Sequence, residues 1–198
     1  MDCNASPARI PDELRAPIDE GKFIVVYGPY GTGKTHLAYE AARYLLSEKA
    51  SVVVLATEVG TATYARSVAT CVPTKVVLTS DELVRYVVKL AAEGSYIIVD
   101  SINWLFRSEP DSLGGKELSF IASVMRQVGG LATGQVTDVD SGNFEMAMGR
   151  WVLPWADVIA RTERITCKRG PCSTLTFIKP YTRTLIFGIR REGVEWIG

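Results

Sequence analysis

Apolar positions fall into two textures along the chain. In the first two-thirds, continuous apolar runs alternate with longer stretches whose apolar residues recur every three or four positions. The runs "KFIVVY", "SVVVLATE", "KVVLT", "YIIVDS" and, more weakly, "LATGQV" read as strands, and their lack of alternation implies burial on both faces. Between them, "GKTHLAYEAARYLLSEK", with helical spacing through Leu37, Ala41, Tyr44 and Leu45, then "ATYARSVATCV", "SDELVRYVVKLAAEG" and "GGKELSFIASVMRQVGG" read as helices. The third of these has Ser80 as an N-cap, acids in its first turn and a glycine stop at Gly94. From about Val158 the texture changes. "VIARTERITCKRGPCSTLTFIKPYTRTLIFGIRREGVEWIG" alternates β-branched and polar residues and is cut by turns, as an antiparallel series does. The pattern therefore predicts an α/β fold: a mostly parallel sheet flanked by helices, with antiparallel strands added at one edge. Residues 1–20, rich in proline and charge, predict a short lead-in with little structure before one core domain over 21–198.

Composition narrows this picture without redirecting it. A chain of 198 residues, 47% hydrophobic, suits a single domain with a sizeable core. Lys+Arg and Asp+Glu balance at 22 each, so nothing global favours nucleic acid, and such a contact would need a local patch. No apolar run approaches the roughly 20 residues that span a bilayer. The N-terminus lacks the basic-then-apolar order of a signal peptide, and the expected location is cytoplasmic. Of four cysteines, Cys167 and Cys172 bracket "CKRGPC", which fits either reduced thiols in a hairpin or a local disulfide. A four-cysteine zinc site is disfavoured, since only one close pair exists and the single histidine, His36, is far away in sequence.

The chemistry concentrates in "GPYGTGKT". It matches G-x-x-x-x-G-K-[ST], the Walker A phosphate loop, between a strand and a helix as the motif requires. Residues Gly28, Pro29, Tyr30, Gly31, Thr32, Gly33, Lys34, Thr35 and His36 form or adjoin the cradle. Glycines let successive backbone N–H groups turn toward a phosphate, and the following helix adds its positive end. Lys34 is placed for the β/γ oxygens and Thr35 for Mg²⁺. Asp100, ending "YIIVD", is placed for the same metal. Glu58 and Gln135 end two further strands on the same rim, where a parallel sheet binds its ligands. A carboxylate there suits activation of a water, and an amide suits detection of a γ-phosphate.

Taken in order, GPYGTGKT, "LATE", "VDSINWLFRSE" and "TGQV" resemble the ATPase core of the RecA/RadA recombinase superfamily. They come closest to core-only archaeal RadA paralogues of the RadB/RadC kind, over roughly residues 21–197. The resemblance implies a RecA-like P-loop NTPase core that uses ATP and Mg²⁺. Lys34 and Thr35 would bind phosphate and metal, with Asp100 on the metal side. It makes Glu58 the water-activating glutamate and Gln135 the glutamine that couples γ-phosphate to a DNA loop. It further implies an accessory role in homologous recombination and DNA repair beside a main recombinase or another paralogue. About 20 residues before the core leave room for neither the helix-hairpin-helix domain nor the docking linker of the full recombinases, so long filaments are not expected.

Two DNA loops are implied, one near Glu109 to Leu118 with Lys116 as its only base, the other over 136–150. Asp138, Asp140 and Glu145 make the second acidic until Arg150, which predicts weak contact with single-stranded DNA. Arg164, Lys168, Arg169, Lys179, Arg183, Arg190 and Arg191 form either a basic patch or ordinary solvated strand faces. Trp104, Phe106, Trp151 and Trp155 are either base-stacking or core residues, and Tyr30 or Tyr64 is a candidate for adenine. The competing functions are a nucleotide-binding regulator with negligible hydrolysis that acts through protein partners, an ATPase of the circadian-clock type, and a small-molecule kinase. The kinase is disfavoured by the lack of an arginine-rich lid.

Overall fold

A computed structural model describes residues 10–67, 69–107, 111–140, 143–167, 170–190 and 193–197. Its strands are β1 (Phe23–Tyr27), β2 (Val52–Ala56), β3 (Thr74–Val76), β4 (Tyr96–Asp100), β5 (Gly130–Gly134), β6 (Val136–Asp140), β7 (Asn143–Met146), β8 (Val158–Cys167), β9 (Gly170–Lys179), β10 (Arg183–Arg190) and β11 (Gly193–Ile197). Its helices are α1 (Asp12–Asp19), α2 (Lys34–Ser47), α3 (Val59–Ser67), α4 (Ser80–Ala92), α5 (Asp111–Val128) and α6 (Gly149–Val152). Nine strands form one sheet in the order β11-β10-β9-β8-β1-β5-β4-β2-β3. β1 pairs in parallel with both β5 and β8, and β2, β3, β4 and β5 continue the parallel part. The antiparallel part runs through β8, β9, β10 and β11.

Continuous apolar strands follow from this layering. In β1, Ile24 and Val26 face one core, with Leu14 and Ile18 of α1 and Leu37 and Ala41 of α2. Phe23, Val25 and Tyr27 face a second core, with Leu83 and Val87 of α4 and Leu118 and Ile121 of α5. β4 splits the same way: Tyr96 and Ile98 to the first side, Ile97 and Val99 to the second. A strand buried on both faces has no polar position to offer until it ends, which puts the first polar side chains of β2, β4 and β5 together on one rim.

Several expectations need correction. The lead-in is not without structure, because α1 buries Leu14 and Ile18 against the first core. Thr79, not Ser80, caps α4: its hydroxyl accepts from the Glu82 amide at 3.2 Å. α3 begins three residues ahead of "ATYARS", at Val59. β8 belongs to both halves of the sheet, parallel to β1 and antiparallel to β9. The first loop, placed near Glu109 to Leu118, is α5 from Asp111 onward, while Glu109 and Pro110 lie outside the described residues. The second, 136–150, is a two-stranded β6–β7 hairpin followed by α6. Cys167 and Cys172 are joined as a disulfide across the β8–β9 turn, Cα–Cα 5.8 Å. No described helix is long and apolar enough to cross a membrane.

Leu14 is 1% exposed, so trimming it opens a cavity between α1 and the sheet. Leu14→Ala is expected to cost about 2–4 kcal/mol in denaturant unfolding. Arg15→Ala, on the solvated face, should stay within about 0.5 kcal/mol. Equal effects would show that α1 is not part of the core.

Candidate functional site

The loop between β1 and α2 is shaped by its glycines and by β8 beneath it. A Cβ on Gly28 would lie 2.3 Å from the Thr162 carbonyl oxygen, so only glycine lets the loop pass there. Gly33 sits at φ +93° as the N-cap of α2, a conformation that favours glycine. Thr32 Oγ1 donates to the Pro29 carbonyl at 2.9 Å and shares a hydrogen bond with Thr162 Oγ1 at 2.7 Å. Arg164 Nη2 donates to the Gly31 carbonyl at 2.8 Å. The amides of Gly31, Thr32 and Gly33 donate to no described residue. Unpaired N–H groups at a helix N-terminus make a ready anion site.

Lys34 is only 5% exposed, yet its ammonium lies against this loop. Nζ donates to the Gly28 and Pro29 carbonyls, each at 2.8 Å, and stands 3.5 Å from Gln135 Oε1. Burial pushes its pKa down to about 8, against the opposing pull of Asp100 and Glu58. Two main-chain oxygens thus occupy an ammonium that a phosphate would satisfy better. The residues present fit a phosphate-bearing ligand.

Asp100 ends β4 at 2% exposure and gathers hydroxyls from three other elements. Thr35 Oγ1 donates to its Oδ2 at 2.7 Å and Thr61 Oγ1 to the same oxygen at 2.6 Å. Thr133 Oγ1 donates to Oδ1. A buried carboxylate beside a Thr hydroxyl at the mouth of the phosphate loop is a hard-oxygen set suited to Mg²⁺. The next residue, Ser101, follows through a cis peptide. Its amide donates to Thr57 Oγ1 at 2.8 Å, and Thr57 Oγ1 donates to its carbonyl at 2.7 Å.

Glu58 is half-buried, and a single oxygen carries its contacts. Oε1 accepts from Ser101 Oγ at 2.5 Å and from Gln135 Nε2 at 2.9 Å. Among the described residues Oε2 has no hydrogen-bond partner, which leaves one carboxylate oxygen unengaged. Thus Lys34, Thr35, Glu58, Asp100 and Gln135 converge on one rim, as the sequence placed them. Thr61, Thr133, Ser101, Asn103 and Thr162 were not singled out by the sequence. Ser101 and Asn103 lie inside "VDSINW", but Thr61 and Thr162 are remote in sequence and carry no local signal.

Other candidates disperse. His36 packs edge-on against Tyr64, 4.6 Å between ring centroids, and Tyr64 against Tyr39. Burial and nearby Arg43 lower the His36 pKa. Tyr30 is 89% exposed. Phe106 is fully buried, Trp151 and Trp155 pack on the second core, and Trp104 stays 42% exposed. The basic strands form no free patch among the described residues. Arg164 holds the phosphate loop, Lys179 donates to the Ala156 carbonyl, Arg183 pairs with Glu13, and Arg190 pairs with Glu195. Lys168, Arg169 and Arg191, like the side chains of Asp138 and Asp140, lie outside the described residues.

No protein-family model matches the chain, and no curated protein matches it by sequence. Among solved structures it is similar to the crystal structure of flagellar accessory protein FlaH from Methanocaldococcus jannaschii. The TM-score is 0.66 at 19% identity, over 97% of this chain and 99% of that one. At that identity the likeness is one of fold: the chain has a RecA-like P-loop NTPase fold. The narrower resemblance to RadA paralogues rests on sequence motifs alone.

The lowered Lys34 pKa fixes a sign. Below about pH 8 the folded state carries a poorly solvated ammonium, and this penalty is relieved as pH rises from about 8 toward the unfolded value near 10.5. Wild type should therefore gain about 2 kcal/mol relative to Lys34→Met between pH 7 and pH 10 in denaturant unfolding. A difference independent of pH would contradict the burial of this ammonium.

Proposed function

We propose that the chain binds ATP with Mg²⁺ at the carboxyl ends of its parallel strands and hydrolyses it slowly. The observation that carries this reading is the joined set of Lys34, Gln135 and Glu58 beside the Thr35–Asp100 pair, all on one rim of a RecA-like fold. Lys34 would exchange its two carbonyl partners for phosphate oxygens, and the free amides of Gly31, Thr32 and Gly33 would hold the rest. Thr35 and Asp100 would hold Mg²⁺, which when bound supplies positive charge to the phosphate oxygens. Glu58 would orient a water and take its proton on the oxygen that has no partner. Ser101 and Gln135 fix the other oxygen, so the base is aimed before the substrate arrives.

For the biological role we infer an accessory ATPase. The motif resemblance favours action beside a main recombinase, with weak contact to single-stranded DNA, since the described basic side chains of the last strands already have partners. A second reading is a nucleotide-dependent regulator that acts through protein partners and turns over negligibly. It is favoured by the end-to-end fold likeness to a protein described as a flagellar accessory protein.

Glu58→Gln is expected to lower ATP turnover on the order of 10²-fold or more while leaving nucleotide affinity within about threefold. Measured with and without single-stranded DNA, stimulation by DNA supports the recombination role. Binding of ATP with no turnover in wild type under either condition supports the regulator and rejects hydrolysis.

A further inference from the structure

Asn103 is fully buried, three residues beyond Asp100, and spends its amide entirely on main chain. Its Oδ1 accepts from the Gln135 amide at 3.0 Å. Its Nδ2 donates to the Gln135 carbonyl at 2.9 Å and to the Ala147 carbonyl at 2.8 Å. Gln135 and Ala147 are the residues that flank the β6–β7 hairpin, and the Ala147 amide donates to the Gln135 carbonyl at 2.9 Å. One side chain in the turn that follows β4 therefore ties together both feet of the hairpin. Volume alone does not explain this choice. A leucine would fill the space, but only a primary amide can donate to the carbonyls of both feet and also accept from the Gln135 amide.

The same feet carry the site. Gln135 sends Nε2 to Glu58 while its Oε1 stands 3.5 Å from Lys34, beyond a strong hydrogen bond. A ligand that draws the Gln135 side chain inward must pull on a backbone that Asn103 has fastened to Ala147. The displacement then passes to both strands together instead of being absorbed by one rotamer. The hairpin has a further anchor in Phe144, whose ring lies 5.4 Å from the Arg161 guanidinium of β8. β8 also shapes the phosphate loop through Thr162 and Arg164.

We propose that Asn103 is a positioning residue that aims Gln135 at Glu58 and locks the β6–β7 hairpin to the nucleotide state of the site. This rests on the reading of the site as an ATP site. In the full-length protein, amide hydrogen exchange of residues 136–147 should differ between ATP-bound and nucleotide-free wild type. In Asn103→Leu that difference should vanish and turnover should fall on the order of tenfold. ATP affinity should stay within about threefold, because the phosphate loop is untouched. Should the leucine variant fail to fold, Asn103→Asp carries the same expectation, since it removes both N–H donors but keeps the oxygen facing the Gln135 amide. Retention of the ATP-dependent exchange difference in the variant would overturn the proposal. So would parallel loss of affinity and turnover, which marks general packing. If wild type binds ATP without turnover, the hydrolysis reading fails but the exchange comparison still decides on Asn103. If wild type turns ATP over and its hairpin exchange ignores nucleotide, the Asn103 proposal alone fails.

Discussion

An ammonium buried away from water has to find oxygens, and the burial of Lys34 is the constraint from which the rest of this site follows. Its two carbonyl partners come from the loop that it would help to load, so the chain holds itself in a form that a phosphate can displace. The cost of this arrangement is visible in a lysine pKa pushed down to about 8 by desolvation. The glycines around Lys34 shape the same loop. Gly28 lets the loop ride over Thr162, and Gly33 turns it into the first turn of α2.

The sheet explains why the other groups are where they are. β1 and β4 are apolar on both faces, so each can place a polar side chain only at its end, and in a parallel sheet those ends share one rim. Asp100 sits there under three threonine hydroxyls drawn from α2, α3 and β5. Glu58, at the end of the neighbouring strand, is held by groups that follow β4 and β5. The donors that hold the Asp100 carboxylate thus sit at positions fixed by the sheet and its helices.

Much of this was legible in sequence because it is local. The phosphate loop, the acid ending "YIIVD" and the residues ending "LATE" and "TGQ" announce themselves by strand texture followed by a polar residue. The alternation of runs and helical spacings gave the parallel sheet, and the late alternating strands its antiparallel edge. What was missed is non-local or overridden by packing. Thr61 and Thr162 matter only through partners 39 and 130 residues away. α1 contains Pro17 and looks like a poor helix, yet Leu14 and Ile18 gain enough from the core to hold it. The 136–150 stretch looked like a loop because its polar residues hide a strand pair whose feet are fixed by Asn103, a contact that spacing cannot reveal.

Whether this loop holds phosphate through Lys34 is decided by calorimetric titration of Mg·ATP into wild type and into Lys34→Ala at neutral pH. Saturable binding by wild type, weakened at least about tenfold in the variant, is the predicted result, since a charge-assisted contact to phosphate is removed. No binding by wild type, or equal affinity in both proteins, would contradict it.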